Sequence, residues 1–205
     1  MKALFIGCHC DDIELGCAAT IHKHPDWQIR CVVLTKDSSN FHWKTNRSYE
    51  HLDLTCKQSL EMLGVTDVKI YTDITCCFFQ RSRQVIWERL HREETEFQPD
   101  IIFSQYADSN QDHATLYEET QRNFRDKPVY FYRPHERDLH PFTKNAFSIV
   151  DESDAEAKLK CLEAYKVYDD RIYFDPEVIK AGLVLNGSLT GHKYAESFFV
   201  DKHIF

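Results

Sequence analysis

The first seventeen residues decide the fold, and they read Met1-Lys-Ala-Leu-Phe-Ile-Gly-Cys-His-Cys-Asp-Asp-Ile-Glu-Leu-Gly-Cys17. The run from Ala3 to Gly7 is apolar, too short for a helix, and lacks period-two alternation. It therefore predicts a strand that is buried on both faces of a parallel sheet. From Ile13 to His24 the apolar residues recur at helical spacing. The sequence thus predicts a strand that enters a helix through a turn containing one histidine and two aspartates.

The alternation of strand and helix continues along the chain. Its repetition with short connections predicts an α/β fold: a doubly wound, Rossmann-like, mainly parallel sheet with helices on both faces. The length of 205 residues, 42% of them hydrophobic, favours a single domain over residues 1–205. Further strands are predicted at Gln28 to Thr35, Val68 to Tyr71, Pro99 to Ser104, Val129 to Tyr132 and Phe147 to Val150, and helices at Arg47 to Leu63, Ser82 to Phe97, Thr115 to Phe124 and Ser153 to Tyr168.

Charge and composition limit the classes of partner. The chain has 25 Lys and Arg against 33 Asp and Glu, a formal charge of -8, which disfavours binding to nucleic-acid phosphates. No apolar run approaches the roughly 20 residues that span a bilayer, so we expect no membrane segment. The strand at the N-terminus leaves no room for a secretion signal, and a cytoplasmic location with reduced cysteines is expected.

Two polar turns are expected to face each other. His9, Asp11 and Asp12 follow the first predicted strand, and the segment Gln105 to His113 follows the fourth. In a doubly wound sheet these two strands are neighbours at the switch point, where their carboxyl ends open into one crevice. The sequence therefore predicts that residues about a hundred positions apart form one site.

The residue types in these turns are those of a catalytic metal site. His9, Asp12 and His113 make a set of two histidines and one carboxylate, the ligand type of a catalytic zinc that keeps one position for water. Asp11 is adjacent to this set but is not needed as a ligand. It is a candidate general base, because a metal lowers the pKa of its bound water to about 7.

Each of these residues also has a simpler interpretation. A lone histidine after a strand is usually a hydrogen-bonded loop residue. Asp11-Asp12 and Asp112 could each serve only as helix N-caps. The coincidence of both groups at neighbouring strand ends favours the metal site.

The same residues resemble the motifs of a known family, the PIG-L/LmbE-type zinc-dependent N-deacetylases. The segment His9-Cys-Asp-Asp-Ile-Glu-Leu-Gly16 is similar to the family's Ala-His-Pro-Asp-Asp motif, and Asp108 with Asp112-His113 resembles its His-x-Asp-His motif. Near the C-terminus, Gly191 to Phe198 is similar to its Tyr-Ala-Glu-x-Phe segment, and Lys158 to Tyr165 to its Lys-x-x-Ala-Leu-x-x-Tyr helix.

This resemblance implies an activity and a set of roles. The reaction would be hydrolysis of an N-acyl group, typically N-acetyl, on a small amino sugar or sugar nucleotide, as part of carbohydrate metabolism. His9, Asp12 and His113 would hold Zn²⁺, with another divalent metal such as Fe²⁺ as the alternative, and Asp11 would be the general base. Substrate contacts are expected at Arg47, Tyr106, Asn110 and Asp112.

Two residues differ from the family pattern at positions that affect metal binding and catalysis. Cys10 replaces the family's proline, and a thiolate there is a candidate additional metal ligand. Asn110 stands where the family's first histidine would stabilise the developing oxyanion. An Asn amide can donate a hydrogen bond but carries no charge, and one missing donor of this kind costs about 2.7 to 4 kcal/mol in other acyl-transfer sites. Tyr106 is one candidate for a substitute donor.

Two other functions remain open from the sequence. A metallo-phosphoesterase would place Asp11, Asp12, Asp112 and His113 around divalent ions, and a non-catalytic sugar-binding relative would explain Asn110. A dinucleotide site is disfavoured, because Gly7 is not followed by glycines at GxGxxG spacing.

Two outlying segments add weaker expectations. The loop with Arg133, His135, Arg137 and His140 is a candidate rim of the site that would contact a phosphate or carboxylate of a ligand. The aromatic tail with Phe198, Phe199 and Phe205 suggests a homo-oligomer contact.

Overall fold

One seven-stranded sheet organises the chain. The computed structural model describes residues 1–36, 51–135, 139 and 141–201. The strands lie in the order β3-β2-β1-β4-β5-β7-β6, and the first five run parallel. β7 pairs antiparallel with both β5 and β6. The strands are β1 Lys2–Gly7, β2 Gln28–Val33, β3 Asp67–Ile70, β4 Ile101–Gln105, β5 Val129–Tyr132, β6 Ala146–Val150 and β7 Tyr194–Val200.

Helices cover both faces of this sheet. They are α1 Asp12–Lys23, α2 Leu52–Met62, α3 Arg83–Phe97, α4 Gln111–Asn123, α5 Glu152–Leu162 and α6 Pro176–Ser188. Among the described residues, short 3₁₀ helices lie at Phe79–Arg81, Lys166–Tyr168 and Ile172–Phe174. The predicted doubly wound α/β fold is confirmed.

The first strand is buried on both sides, as its uninterrupted apolar run predicts. Ala3 and Phe5 pack into the core shared with α1, α2 and α5. Leu4 and Ile6 pack into the opposite core with α3 and α4. β1 is therefore an interior strand of the sheet, with β2 and β4 on either side and a buried core on each face.

The ends of several helices differ from the sequence prediction because side-chain caps decide them. α4 begins at Gln111, four residues before Thr115, since the Asn110 side chain accepts a hydrogen bond from the Asp112 backbone N–H at 2.9 Å. α5 begins at Glu152, where Asp151 and Asp154 form a reciprocal capping box. It ends at Leu162 rather than Tyr168, and a 3₁₀ turn follows.

Helix α1 is held by side chains from the far end of the chain. The Lys158 ammonium donates to the Leu15 carbonyl at 2.6 Å and pairs with Glu196 at 2.6 Å. Glu196 in turn accepts hydrogen bonds from the backbone N–H groups of Ala19 and Thr20 at 3.2 and 2.8 Å. Both charged residues are buried. The pair thus replaces part of the main-chain hydrogen bonding of α1.

A close aromatic contact fixes the other side of this helix. A Cβ atom added at Gly16 would lie 2.1 Å from the Tyr132 ring, so only glycine fits there. Tyr132 is fully buried, and its hydroxyl donates to the Ile6 carbonyl at 2.8 Å. The start of α1 is therefore fixed relative to β1 and β5.

Candidate metal and catalytic site

The site forms where two neighbouring strands end. β1 ends at Gly7 and α1 begins at Asp12, while β4 ends at Gln105 and α4 begins at Gln111. Because β1 and β4 pair in parallel, the two connecting turns lie side by side. The sequence prediction that these turns meet is confirmed.

The three predicted ligands converge with the spacing of a metal site. His9 Nδ1 lies 3.4 Å from His113 Nε2 and 3.3 Å from an oxygen of Asp12. The second oxygen of Asp12 lies 3.7 Å from His113 Nε2. A tetrahedral zinc with bonds of about 2.0 to 2.2 Å separates its ligand atoms by roughly 3.3 to 3.6 Å. The donor set therefore fits a zinc ion.

Carboxylates fix the other nitrogen of each imidazole. His113 Nδ1 lies 2.7 Å from Asp108, and His9 Nε2 lies 3.3 Å from Asp112. Asp112 is itself held by the backbone N–H groups of Cys77 and Phe79, at 2.5 and 3.2 Å. Histidines that bind metals usually donate their second N–H to such a partner. The arrangement thus presents His9 Nδ1 and His113 Nε2 to the same point.

The adjacent residues Asp11 and Asp12 differ in backbone conformation and in the hydrogen bonds that their carboxylates accept. Asp11 has a backbone φ of 139°, in a region that residues other than glycine rarely adopt. It occupies the N-cap position of α1, but its side chain makes no capping hydrogen bond. Within the described part of the chain, no side chain or backbone group hydrogen-bonds its carboxylate. Asp12 instead accepts a hydrogen bond from the His9 backbone N–H at 2.8 Å. The simple N-cap interpretation of Asp11-Asp12 is therefore wrong.

Burial and mutual charge perturb the groups of the site. Burial and the neighbouring charge of Asp12 raise the pKa of Asp11 well above its ordinary value. Burial also opposes the ionisation of Asp12, but the charge of His113 and the hydrogen bond from His9 outweigh it and lower its pKa. For His9, hydrogen bonds to Asp112 and Asp12 outweigh burial and raise the pKa. Ionised Asp12 is the form that a metal ligand requires.

Comparison with protein-family models gives one match. Residues 4–124, more than half of the chain, match the PIG-L model, described as GlcNAc-PI de-N-acetylase. The chain belongs to the PIG-L family. A comparison with curated protein sequences finds no match.

Solved structures share the PIG-L fold at low sequence identity. N,N'-diacetylchitobiose deacetylase from Pyrococcus horikoshii superposes with a TM-score of 0.75 at 18% identity, covering 97% of this chain and 83% of that one. GalB, the 4-carboxy-2-hydroxymuconate hydratase from Pseudomonas putida, gives 0.81 at 15% identity, covering 100% and 97%. The zinc-inhibited form of teicoplanin deacetylase Orf2 gives 0.72 at 13% identity, covering 98% and 97%. These similarities establish the fold.

The thiol nearest the ligands of this PIG-L chain is not the one that the sequence suggested. Cys10 is buried in the core on the α2 side of the sheet. The prediction that Cys10 is an additional metal ligand is therefore wrong. Cys8 lies instead with Asp12 and His113, and Cys76 with His9 and Asp112; within each group the ligand atoms are all within 4.8 Å of one another. No spacing pattern in the sequence distinguishes Cys8 or Cys76 from the other buried cysteines.

The residues expected to contact substrate have mixed outcomes. Asp112 is fully buried, and its oxygens are engaged by His9 and two backbone groups, so it positions a histidine rather than facing a ligand. Tyr106 packs edge-on against Tyr117 and Phe199 in an aromatic cluster. Asn110 uses its side-chain oxygen as the cap of α4. Arg47 lies outside the described residues.

The aromatic tail does not support its predicted role. Phe198 is a core residue that packs edge-on against Phe103, because β7 inserts between β5 and β6. Phe199 packs against Phe131 and Tyr106, and Phe205 lies outside the described residues. Phe198 and Phe199 therefore pack within the fold, and the homo-oligomer stays a prediction. Among the described residues, no helix is both long and apolar enough to cross a bilayer.

Proposed function

We propose that this protein is a zinc-dependent N-deacetylase that hydrolyses the N-acetyl group of a small amino-sugar-type substrate. The observation that carries the proposal is the convergence of His9 Nδ1, His113 Nε2 and Asp12 to within 3.3 to 3.7 Å. Beside them lies the carboxylate of Asp11, which accepts no hydrogen bond from any described residue. Membership of a family described as GlcNAc-PI de-N-acetylase supports the substrate class.

The chemistry divides between the ligand set and Asp11. A zinc ion held by His9, Asp12 and His113 would supply Lewis acidity toward water and the acyl carbonyl. Asp11 accepts a proton from the attacking water and delivers it to the leaving amine nitrogen, the role of a general base that becomes a general acid. Asp108 and Asp112 keep the two imidazoles in the tautomers that face the ligand position.

Asn110 takes the place of the oxyanion donor in this proposal. Its Oδ1 accepts from the Asp112 backbone N–H, so the amide NH₂ is the end of the side chain left to donate. A neutral donor stabilises an oxyanion less than a charged imidazolium does. We therefore expect slower turnover than a PIG-L enzyme with histidine at this position.

The competing functions receive less support. A two-metal phosphoesterase needs Asp112 as a ligand, but both oxygens of Asp112 already accept hydrogen bonds from backbone N–H groups. A non-catalytic sugar-binding relative would need no base, yet Asp11 has a strained backbone, and its carboxylate accepts no hydrogen bond from the part of the chain that the structure describes. Backbone strain of this kind costs on the order of 1–3 kcal/mol and clusters at active sites.

Acetate release and metal content test the proposal together. The purified protein is assayed on a panel of N-acetylated amino sugars and sugar nucleotides, with phosphate monoesters and unsaturated dicarboxylates as competing substrates. We expect one zinc per chain by elemental analysis, acetate release that a chelator abolishes, and recovery on adding Zn²⁺ or Fe²⁺. His113→Ala should lose the metal, whereas the matched control His192→Ala, at an exposed histidine on another turn, should keep it.

Three results would overturn the proposal. They are full acetate release in the presence of chelator, turnover confined to phosphate esters or unsaturated acids, and sugar binding without any turnover across the panel.

A further inference from the structure

Two adjacent cysteines lie next to the candidate metal site, and the proposed reaction does not use their thiols. Cys76 Sγ and Cys77 Sγ lie 3.6 Å apart, far beyond the roughly 2.05 Å of a disulfide bond. A tetrahedral ion with metal–sulfur bonds of about 2.3 Å separates two sulfur ligands by roughly 3.7 Å. The two thiols are therefore spaced like two ligands of one ion.

A strained turn brings these thiols together. The Phe78 backbone N–H donates to the Thr75 carbonyl at 3.1 Å, so Cys76 and Cys77 are the two central residues of a four-residue turn. Cys77 has a φ of 66°, and type II turns favour glycine or asparagine at such a position. Backbone strain of this kind is found at ligand clamps as well as at active sites. The chain thus carries a thiol where a glycine would relax the turn.

His9 offers a third donor to the thiol pair. His9, Cys76 and Asp112 each present one ligand atom, and these three atoms lie within 4.8 Å of one another. The nitrogen of His9 on this side is Nε2, because Nε2 is the atom that faces Asp112 at 3.3 Å. Asp112 is the less available donor, since two backbone N–H groups already hold its carboxylate. The donor set is therefore two thiols and one imidazole.

The softness of these donors and their accessibility limit the ligand class. Thiolate and imidazole ligands suit soft and borderline cations, whereas Mg²⁺ and Ca²⁺ prefer oxygen ligands. Cys76 is buried, but Cys77 is partly exposed and gives an ion a path from solvent. A coordinating thiol loses its proton outright, so each metal–sulfur bond that forms releases one proton to solvent.

We propose that Cys76 Sγ, Cys77 Sγ and His9 Nε2 form a second metal site, which binds a soft divalent cation. An ion at this site takes the nitrogen that Asp112 otherwise fixes, so it changes the orientation of His9 at the candidate metal site. The two ions therefore weaken each other's binding, and the weakening is reciprocal. The site is thus inhibitory toward the first metal. The inference does not rest on the proposed deacetylase activity.

Titration of the metal-free full chain with Cd²⁺ tests the ligand class. We expect one equivalent at the candidate metal site and a second, weaker one at the thiol pair, because the second must break the contact between His9 and Asp112. The second equivalent should produce a thiolate-to-cadmium charge-transfer band in the ultraviolet. In ¹¹³Cd NMR it should give a separate resonance, shifted in the direction that sulfur ligands cause. Mg²⁺ in excess should not remove the band.

Alanine substitutions test the location. Cys76→Ala and Cys77→Ala should each weaken the second equivalent at least about tenfold and reduce its band, while keeping the backbone N–H of residue 77 that holds Asp112. Cys31→Ala, at a buried thiol of β2, is the matched control and should leave the band unchanged. Cys8→Ala removes the other thiol near the proposed ligands and should leave the band in place as well.

The outcomes separate this inference from the deacetylase proposal. In His113→Ala the first metal and turnover should be lost, whereas the thiol pair should still bind Cd²⁺ with its band. The inference is overturned if Cd²⁺ binds the wild-type protein without a charge-transfer band, if folded Cys76→Ala and Cys77→Ala keep the band, or if Cys8→Ala abolishes it.

Discussion

His113 Nδ1 lies 2.7 Å from Asp108 Oδ2, and this contact leaves Nε2 of the same ring facing Asp12. Asp108 also accepts a hydrogen bond from the Asn110 backbone N–H at 2.7 Å, so both oxygens of one carboxylate shape the loop before α4. The orientation of one proposed ligand therefore depends on a residue five positions earlier in the chain.

Replacing this carboxylate should weaken metal binding. Asp108→Asn keeps the size of the side chain but removes its charge, so the His113 imidazole becomes a poorer ligand. We expect the zinc dissociation constant to rise about 10- to 100-fold, measured by competition with a chromogenic chelator. Asp126→Asn, at an exposed aspartate, is the control. An unchanged dissociation constant in Asp108→Asn would refute this role.

Asp11 and Asp12 are adjacent but should respond differently to the same change. Asp11→Asn removes the proposed base and should lower kcat by about 10²- to 10⁴-fold, because general base catalysis contributes that much. Its zinc content should stay at one per chain. Asp12→Asn should instead lose zinc, because Asp12 lies within ligand distance of both histidines. Acetate release and elemental analysis on both variants decide the assignment, which fails if Asp11→Asn loses the metal.

Asn110 can be tested as a donor without disturbing the helix that it caps. Asp is as good an N-cap as Asn, so Asn110→Asp should keep stability within about 0.5 kcal/mol. It cannot donate a hydrogen bond, and its negative charge opposes an oxyanion, so kcat should fall about 10²- to 10³-fold. Asn110→Ala loses both functions and should cost about 1 kcal/mol in stability as well. Equal turnover in Asn110→Asp and wild type would remove Asn110 from the mechanism.

Two glycines in helices should respond oppositely to alanine. At Gly16 the new methyl group would clash with the Tyr132 ring, which is fully buried and tied to Ile6 by its hydroxyl. Overpacking of this kind costs about 1–3 kcal/mol, more than the roughly 1 kcal/mol that alanine returns in helix propensity. At Gly182 the methyl group meets open space, and alanine should be stabilising. Urea unfolding of both variants measures the difference, and a gain of stability in Gly16→Ala would contradict it.

The sequence predicted the sheet and the meeting of its two turns because each depends on short-range patterns. The apolar run before His9 identifies a buried strand, and strand order follows from the right-handed crossovers of a doubly wound sheet. His9, Asp12 and His113 could therefore be placed together without any long-range information.

The contacts that orient the site could not be predicted in this way. The role of Asp112 depends on backbone N–H groups of Cys77 and Phe79, which lie just before and at the start of the 3₁₀ helix Phe79–Arg81, a segment with no recognisable sequence pattern. Cys8 and Cys10 differ by two residues, and only the turn after β1 decides which thiol faces the ligands. The sequence did not predict β7, because β7 pairs antiparallel with β6 and β5, which lie about 44 to 70 residues earlier in the chain.

Helix α1 begins at a proposed ligand, yet its hydrogen bonding is completed by Lys158, 143 residues after Leu15, and by Glu196, 176 residues after Thr20. Both lie beyond residue 124, where the family match ends. During synthesis the ribosome releases His9 and Asp12 long before the side chains that secure their helix. The proposed ligands therefore reach their final geometry only after β7 has been synthesised. An isolated fragment of residues 4–124 would contain the motif but would lack Lys158 and Glu196, the side chains that complete the hydrogen bonding of α1.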